Sequence, residues 1–489
     1  MLTTAEQNAS RSNSCSRSSN NNNTDVVNNN IKPEQMTDET IAQMTERDRV
    51  SPLDEPRRRS SIELMLGKLL IILTLVSFIF VGSILNLVQL LLTLTIRLSN
   101  NRRWRRWHKW LIGQLVYAIF AQPVCLLYLW PRWQLEIVLD DKALIEDVQK
   151  NMFGIIIANH TFELDWMTCF VLADQLGNMG NYKCFSKDEL KWLPITGWTF
   201  WMADLIYVKR DWKQDRARIA AKLNELLDYN QILLGIFAEG TRWTQEKHND
   251  AVEFAKSRSI EPYKHHLFPR PRGFNYTMRH YLRLSAGAGT EVNSSNNGAH
   301  SENEMNQKGP ASACALVNDS AAGPIRLFNL EIVMPDRPKF KTFLEGGLLR
   351  ASIYCEEILL NDELRREALS SRDEDDCPKL TKLLQDIYRR KDELIDEFMA
   401  NNQRFRVKSP RGGYYPIRKP VRPFLYWLAG MSTTYGTFTF LASTLFAGSV
   451  WFWSLVVAFV TSGLLLLRRI ERESVPTKLV KRQRADRVS

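Results

Sequence analysis

The chain has 489 residues, with 65 Lys and Arg against 54 Asp and Glu, so that its formal net charge is +11. This length allows one substantial domain with appendages, and by itself it would allow two or three domains. The positive charge predicts an anionic partner, either membrane headgroups or nucleic acid. Because the basic run Arg102–Arg106 lies between two apolar segments long enough to enter a bilayer, the sequence favours the membrane and argues against nucleic acid.

The cysteines argue against a bound metal. They are odd in number and scattered along the chain, and no two of them form a Cys-x-x-Cys pair or have the spacing of zinc ligands. Such usage is typical of a catalytic domain that faces the reducing cytosol. We therefore predict no metal site. The seven positions are Cys15, Cys125, Cys169, Cys184, Cys314, Cys355 and Cys377.

The chain begins with a polar tail that leads into apolar segments. Residues 1–55 are rich in Ser, Asn and Thr and contain few large apolar side chains, which predicts a disordered tail. Residues 69–130 contain two predicted membrane segments. Leu69–Ile96 is long enough to cross a bilayer, and Leu111–Trp130 either crosses it or enters one leaflet. Positive charge at both ends of the first segment leaves its orientation open.

Two more apolar stretches lie near the C-terminus. Phe424–Ala447 and Val450–Leu467 are typical of a helical hairpin in the membrane, spanning 424–467, and a basic tail follows over residues 468–489. The alternative is that all four apolar stretches are core helices of a soluble protein. Their lengths and charged edges favour the membrane.

Residues 135–400 alternate short apolar runs with helical patterns, which predicts an α/β domain with a central, mostly parallel sheet flanked by helices. Residues 285–323 are rich in Ala, Gly, Ser and Asn and are predicted to be a flexible insertion. An amphipathic helix over 380–398 is expected to pack on the domain. The predicted strands are Phe153–Ala158, Leu205–Val208, Ile232–Ala238 and Leu327–Met334.

His160 and Asp165 are the candidate catalytic pair. His160 directly follows a predicted strand, where loops carry functional groups out of a sheet. On a straight helix Asp165 would lie roughly 140° away around the axis, so contact requires a loop that enters a helix. In that geometry Asp165 fixes the imidazole tautomer, and His160 removes a proton from a hydroxyl that attacks an acyl carbonyl. Taken alone, the spacing is more often that of a histidine in a structural loop hydrogen bond.

The tetrad Glu239-Gly240-Thr241-Arg242 follows another predicted strand and favours the catalytic interpretation. These four fixed residues would occur by chance only about 0.005 times in such a chain. Gly240 lets backbone N–H groups approach an anion, and Arg242 offers a bidentate fork for a phosphate monoester. Glu239 would repel that anion, so we expect it to orient Arg242 or another donor. Two basic residues after a third strand either complete the clamp or form a solvated charge pair: Lys209 and Arg210.

These two blocks resemble the Asn-His-x4-Asp and Glu-Gly-Thr-Arg signatures of the 1-acylglycerol-3-phosphate acyltransferases. The resemblance is clearest from Asn159 to Phe274 and is closest in pattern to the longer eukaryotic isoforms called gamma, delta and epsilon. It departs from the family after Phe274, at the 285–323 insertion, and in the polar tail. Further similar segments are Lys187–Leu190, Pro194–Trp198, Lys209-Arg210, Lys247-His248 and His266–Arg270.

The resemblance implies transfer of a fatty acyl chain from acyl-CoA to the sn-2 hydroxyl of lysophosphatidic acid, giving phosphatidic acid. It implies a multi-pass protein of the endoplasmic reticulum membrane with membrane lipids around it. His160 would be the base, Asp165 its orienter, and Arg242 with its neighbours the phosphate site. Lys187 would join the substrate-binding residues, and Pro269 the acyl-donor or binding surface. No bound cofactor is implied, because acyl-CoA is a co-substrate.

Three alternatives stay open at this point. Related proteins act on other lysophospholipids, such as lysophosphatidylinositol or lysocardiolipin, and no residue named above distinguishes a headgroup beyond its phosphate. A lysophospholipid hydrolase would need a nucleophile or an activated water that the sequence does not display. A membrane scaffold would bind phospholipid without chemistry. The sequence sets no subunit count.

Overall fold

The computed structural model describes residues 59–96, 101–142, 153–163, 165–286, 325–370 and 377–445, with isolated helical positions between 454 and 465. Several predicted regions lie outside these residues. They are the polar tail at 1–55, nearly all of the insertion at 285–323, nearly all of the second C-terminal apolar stretch, and the basic tail at 468–489. Those assignments stay predictions.

A sheet of eight strands, in the order β4-β3-β5-β2-β6-β7-β1-β8, forms the centre of the described chain. The neighbouring pairs from β4 through to β6 are parallel. β7 runs antiparallel to β6 and parallel to β1, and β8 is antiparallel to β1. The predicted α/β fold with a mostly parallel sheet is confirmed. The strands are β1 Arg132–Leu139, β2 Phe153–Ala158, β3 Tyr182–Lys187, β4 Ile206–Val208, β5 Ile232–Ile236, β6 Ile325–Val333, β7 Leu348–Ile358 and β8 Gly413–Tyr414.

Helices precede, connect and follow the strands. The long amphipathic helix predicted over 380–398 is present as α10, and two short 3-10 turns flank β3 at Met179–Asn181 and Asp188–Trp192. The helices are α1 Ser61–Ile96, α2 Arg102–Leu129, α3 Asp165–Gln175, α4 Thr196–Met202, α5 Trp212–Leu226, α6 Gln245–Ser257, α7 Pro271–Ala286, α8 Phe340–Leu344, α9 Asp362–Ser370, α10 Pro378–Ala400 and α11 Val421–Leu445.

The two faces of the sheet carry two apolar cores, and β2 contributes to both. Ile156 and Ala158 pack into the core shared with α1, α2 and α3. Phe153, Ile155 and Ile157 point the other way, into the core shared with α5, α7 and α10. Because successive side chains of a strand point to opposite faces, a strand covered on both sides reads as a continuous apolar run. This pattern explains why β2 could be predicted from the sequence.

Two described helices, Ser61–Thr95 within α1 and Arg103–Leu129 within α2, are long and apolar enough to cross a membrane. Only 28% of the most apolar stretch of α1 is buried within the protein, against 67% for α2. α1 therefore has a large apolar surface without a protein partner among the described residues, whereas α2 is packed much more like a core helix. The two helices suggest a membrane protein, as the composition predicts.

α11 covers most of the first predicted C-terminal membrane stretch. It packs on α1, where Trp427 Nε1 donates to Thr74 Oγ1 at 3.0 Å and Tyr435 Oη donates to the Leu73 carbonyl at 2.8 Å. Within the described chain, α11 does not reach the apolarity of a membrane-crossing helix, because Thr, Ser and Gly interrupt it. The C-terminal membrane hairpin therefore stays a prediction.

Candidate active site

The candidate residues come together because five mutually parallel strands end on the same edge of the sheet. β2 and β5 are neighbours, and the segments that follow them carry His160 and the tetrad Glu239–Arg242. β3 ends at Lys187, and Arg210 lies two residues after β4. The carboxyl ends of parallel strands are where open α/β sheets bind ligands. The edge therefore gathers a histidine, a carboxylate and several cations.

His160 and Asp165 are in direct contact. Asp165 is the first residue of α3 and is fully buried, and its Oδ2 lies 3.0 Å from His160 Nδ1. The same oxygen accepts from the backbone N–H groups of Thr161 at 2.7 Å and Phe162 at 2.8 Å. Since this oxygen acts as an acceptor throughout, Nδ1 carries the ring proton and Nε2 is left as the basic nitrogen. This is the loop-to-helix geometry that the five-residue spacing predicts.

Glu239 holds the backbone of His160 and does not orient Arg242. Glu239 Oε1 accepts from the His160 N–H at 3.0 Å, and the His160 carbonyl accepts from the Trp243 N–H at 2.7 Å. Glu239 is only 2% exposed, which places it behind the histidine and away from any anion. Burial raises the pKa of Glu239 to about 7. Of the two roles expected for Glu239, the structure shows the second, because Glu239 holds a donor other than Arg242, the His160 N–H, while Arg242 pairs with Glu163 at 3.0 Å.

Cations surround the tetrad. Arg210 donates to the Gly240 carbonyl at 2.9 Å, and Lys247 Nζ donates to Thr241 Oγ1 at 2.5 Å. The pKa of Lys247 is lowered, first by burial and then by the positive charges of Arg242, Arg210 and Lys187. The charges of Arg242, Arg210 and Lys187 therefore act on Lys247. We define these four residues as the cation cluster: Lys187, Arg210, Arg242 and Lys247.

Arg270 is a further cation beside Gly240. A methyl group added to Gly240, which has φ of +69°, would lie 3.2 Å from Arg270 Cδ. Arg270 is held there because its N–H donates to the Ala238 carbonyl at 2.8 Å. Gly240 thus supplies both the positive φ and the space for this arginine.

Two predicted binding residues are not part of this cluster. Lys209 Nζ donates to Gln214 on α5 at 3.3 Å, and the backbone N–H of Lys209 donates to Asp215 at 2.9 Å. Pro269 is buried, so its contribution to the site is the placement of its exposed neighbour Arg270. The structure therefore brings Lys187 and Arg210 to the site but directs Lys209 toward α5.

A buried charge network lies behind the catalytic pair. His266, which is 1% exposed, contacts Asp392 through Nδ1 at 2.7 Å and Glu331 through Nε2 at 3.1 Å. Glu331 also accepts from Asn159, the residue before His160, at 2.9 Å and from Lys391 at 3.2 Å. Burial alone would lower the pKa of His266, but the nearby carboxylates outweigh it and raise this pKa to about 9. We define the buried network as these five residues: Asn159, His266, Glu331, Lys391 and Asp392.

The sequence contains a signal for the buried network that motif spacing did not reveal. Glu331 is a charged residue in the continuously buried part of β6, and it is itself fully buried. Lys391 and Asp392 lie on the buried face of α10, among its core residues. Charged residues are almost never fully buried unless they are paired. Ionisable residues at core positions of predicted elements are therefore the signal that finds such a network.

Comparisons with known proteins agree with this geometry. A family model described as Acyltransferase matches residues 143–268. The chain is 36% identical to 1-acyl-sn-glycerol-3-phosphate acyltransferase delta of Mus musculus over 203 residues, which are 41% of this chain and 52% of that relative. It is 27% identical to the Homo sapiens delta form over 376 residues, 76% of this chain and 83% of the relative. The Homo sapiens gamma form is 33% identical over 208 residues, 42% and 54% of the two chains.

Fold, site and comparisons together define a chain that carries an acyltransferase domain. The match to the mouse delta form and to the human gamma form spans about half the length of each. The resemblance to the 1-acylglycerol-3-phosphate acyltransferases is confirmed, and the similar proteins are delta and gamma forms of that enzyme.

Proposed function

We propose that the protein transfers a fatty acyl chain from acyl-CoA to the sn-2 hydroxyl of 1-acyl-glycerol-3-phosphate, forming phosphatidic acid. The observation that carries this proposal is the contact of His160 with buried Asp165 next to the cation cluster, on one edge of the sheet. A base and a group of cations on the same edge of the sheet suit an acceptor that carries both a hydroxyl and a phosphate. The names of the similar proteins support the same acceptor.

In the reaction, His160 Nε2 takes the proton of the sn-2 hydroxyl while the hydroxyl oxygen attacks the thioester carbonyl. The C–S bond of the tetrahedral intermediate then breaks, and the imidazolium returns its proton to the departing CoA thiolate. Asp165 stabilises the imidazolium and holds its Nδ1–H in place. Proton transfer of this kind accounts for about 10² to 10⁴ in rate, and positioning of the two substrates supplies much of the rest.

The number of cations favours a phosphate monoester over a phosphodiester. A monoester carries close to two negative charges near neutral pH, whereas the phosphodiester of lysophosphatidylinositol or lysocardiolipin carries one per phosphate. Arg242 has an exposed side chain, 47% accessible, and its present partner Glu163 is itself 36% exposed. An incoming phosphate can therefore compete with Glu163 for the arginine fork. The other lysophospholipids remain the second candidate acceptors.

The decisive experiment measures transfer of labelled oleoyl-CoA in membranes that contain the wild type or His160→Ala, with a panel of lysophospholipid acceptors. We expect selective labelling of lysophosphatidic acid, reduced by about 10²-fold or more in the variant. Labelling of a different lysophospholipid would keep the mechanism and change the acceptor. Release of free fatty acid without acceptor would indicate a hydrolase, and phospholipid binding without turnover a scaffold.

The cellular site belongs to the same proposal. Two apolar helices and a lipid product support a membrane location, and we propose a multi-pass protein of the endoplasmic reticulum. Co-fractionation of the full chain with endoplasmic reticulum markers, with resistance to carbonate extraction, is the expected result. Complete extraction by carbonate would contradict the multi-pass assignment.

A further inference from the structure

A row of large apolar side chains is exposed between β3 and β4. We call it the aromatic shelf, and its members lie in the 3-10 turn Asp188–Trp192, in the link that follows, and in α4. Their exposure runs from 43% for Trp198 to 72% for Trp192. Contiguous apolar surface that includes several tryptophans marks an interaction site. The shelf consists of Leu190, Trp192, Leu193, Trp198 and Trp201.

The opposite side of this segment packs on α1. Thr199 Oγ1 accepts from Asn86 Nδ2 at 2.7 Å, and both side chains are buried. Gly82 makes room for Ile195, because a Cβ atom on Gly82 would lie 2.4 Å from Ile195 Cγ2. The shelf is therefore attached directly to α1, most of whose apolar stretch is not buried within the protein.

The backbone at the start of α4 is strained, and the contact between Ile195 and α1 holds it in that conformation. Ile195 has φ of +62° and ψ of −68°, and the Thr196 N–H donates to the Pro194 carbonyl at 2.7 Å, which is a γ-turn with positive φ. Such turns are rare, and positive φ is unfavourable for a β-branched residue. The turn directs Ile195 inward to α1 and leaves the neighbouring Leu193 half exposed.

The uncovered surface of α1 continues past the point where α4 docks. In the two turns after Asn86, the exposed fractions are 58% for Leu87, 54% for Leu91 and 59% for Leu94. Because these residues adjoin the α4 contact, the apolar surface of α1 and the shelf are neighbours. Tryptophan is enriched at the level of lipid headgroups, where its ring is apolar and its N–H can be hydrated.

Positive charge accompanies the shelf. Lys187 directly precedes it and is exposed, and Lys191 Nζ lies 5.3 Å from the centre of the Trp192 ring and 2.8 Å from Asp188 Oδ2 in the same turn. Lysine stems that lie along apolar surface with the ammonium at its edge suit an interface with anionic headgroups.

We propose that the aromatic shelf rests on the bilayer at the level of the lipid headgroups, beside the membrane-embedded part of α1. Lys187 ends β3 on the sheet edge that carries His160, so the shelf leads from the lipid surface to the candidate active site. An amphiphilic acceptor reaches the site with its headgroup while its acyl chain remains among lipids. The position of the shelf does not depend on the proposed acyl transfer.

Electron paramagnetic resonance tests the depth of the shelf directly. The full chain is reconstituted in vesicles of phosphatidylcholine and phosphatidylserine with a nitroxide on Leu193→Cys, and the unmutated chain is labelled in parallel to subtract its own cysteines. The matched control is Leu359→Cys, since Leu359 is 84% exposed in the segment after β7. We expect the label at position 193 to meet oxygen more often than a water-soluble nickel chelate, and the label at 359 to show the reverse.

Two results would overturn the proposal. Equal, water-like accessibility at positions 193 and 359 would show that the shelf faces solvent. Low accessibility to both oxygen and the nickel chelate at 193 would show that protein covers it, either a second copy or another chain. Neither readout requires enzymatic activity, so failure of the shelf and failure of the acyl-transfer proposal are distinguishable.

A kinetic arm links the shelf to substrate access. The double variant Trp192→Ser/Trp198→Ser is expected to raise KM for an acceptor presented in vesicles by about tenfold. This change corresponds to a loss of about 1.4 kcal/mol of binding free energy from apolar contact. For a short-chain acceptor dissolved as a monomer, KM and kcat are expected to stay the same. An equal loss with both acceptors would contradict a bilayer contact.

Discussion

Asp165 Oδ2 receives three donors, from His160 Nδ1 and two backbone N–H groups, whereas Asp165 Oδ1 has no hydrogen-bond partner within the described chain. A carboxylate held this way cannot rotate without losing all three bonds. The imidazole is therefore fixed in both orientation and tautomer, which is what a general base requires before substrate binds.

The charge of Asp165 can be tested separately from its shape. Asp165→Asn keeps an acceptor oxygen for the three donors but removes the charge that stabilises imidazolium. We expect kcat to fall by about 10²-fold with KM for both substrates little changed, measured by acyl transfer in detergent. The thermal unfolding midpoint of the variant serves as the control for folding. Activity within a factor of two of wild type would contradict the assignment of His160 as the base.

Arg242 is expected to act in binding and not in proton transfer. Arg242→Gln should raise KM for lysophosphatidic acid by about 10- to 100-fold, which is the change expected from the loss of a charge-assisted hydrogen bond. KM for acyl-CoA should stay nearly unchanged. The matched control is Arg389→Gln, because Arg389 is half exposed on α10 and pairs only with nearby Asp386 in the described contacts. If kcat falls while the acceptor KM stays constant, Arg242 does not bind the ground-state phosphate.

At the scale of elements, the buried network connects β2, β6, α10 and the segment before α7. Asn159 also donates to the Ile332 carbonyl and accepts from the Ile332 N–H, both at 2.8 Å, so the end of β2 is fastened to β6 beside His160. A buried network of this kind is favourable only when every member is paired. Loss of one partner is therefore expected to lower the free energy of unfolding by more than the contribution of its own hydrogen bonds.

The protonation of His266 predicts a pH dependence of stability. Its folded pKa, about 9, lies above its ordinary value of 6.5. The contribution of this charge is therefore fully present below about pH 6.5 and is lost as the pH rises through about 9. His266→Gln should lower the free energy of unfolding by roughly 3 kcal/mol near pH 6 and by much less near pH 9.5.

Thermal unfolding of the two chains at both pH values measures this difference. His265→Gln is the control, since His265 is adjacent in sequence but pairs with Asp396 at the surface, where ion pairs contribute little. Glu239 acts in the same direction at lower pH. Its pKa is raised to about 7, so its ionisation destabilises the fold progressively between about pH 4.5 and 7. An identical destabilisation by His266→Gln at the two pH values would mean that His266 is neutral.

At the scale of the molecule, α2 joins the apolar N-terminal region to the acyltransferase domain. Phe120 of α2 stacks on Phe170 of α3 at 4.9 Å and on Phe200 of α4 at 4.6 Å between ring centres. Two turns earlier on the same face of α2, Gly113 meets the 3-10 turn at Gly180 backbone to backbone. The helix is therefore packed as part of the domain, although it is apolar enough to cross a membrane.

The close approach at Gly180 is a sensitive point in this attachment. A Cβ atom on Gly180 would lie 2.1 Å from the Gly113 carbonyl oxygen, and backbone cannot move aside as a side chain can. Gly180→Ala is expected to lower the thermal midpoint by several degrees and to weaken protease resistance of the link between α2 and α3, through overpacking that typically costs about 1–3 kcal/mol. Gly436→Ala is the control, because a methyl group there meets no atom within 4 Å. Equal midpoints for the two variants would contradict the packing of α2 described above.

The sequence by itself determined strands β2, β4, β5 and β6, the amphipathic helix α10, the two N-terminal apolar helices and the candidate pair His160 and Asp165, because periodicity, apolar runs and a five-residue spacing are local properties. Only the tertiary structure decided what Glu239 does, since it lies 79 residues from His160 and meets it through the pairing of β2 with β5. The same holds for His266, whose partner Asp392 is 126 residues away. Sheet order and helix packing create such contacts, and nothing in a local pattern specifies which distant charge will be buried beside another.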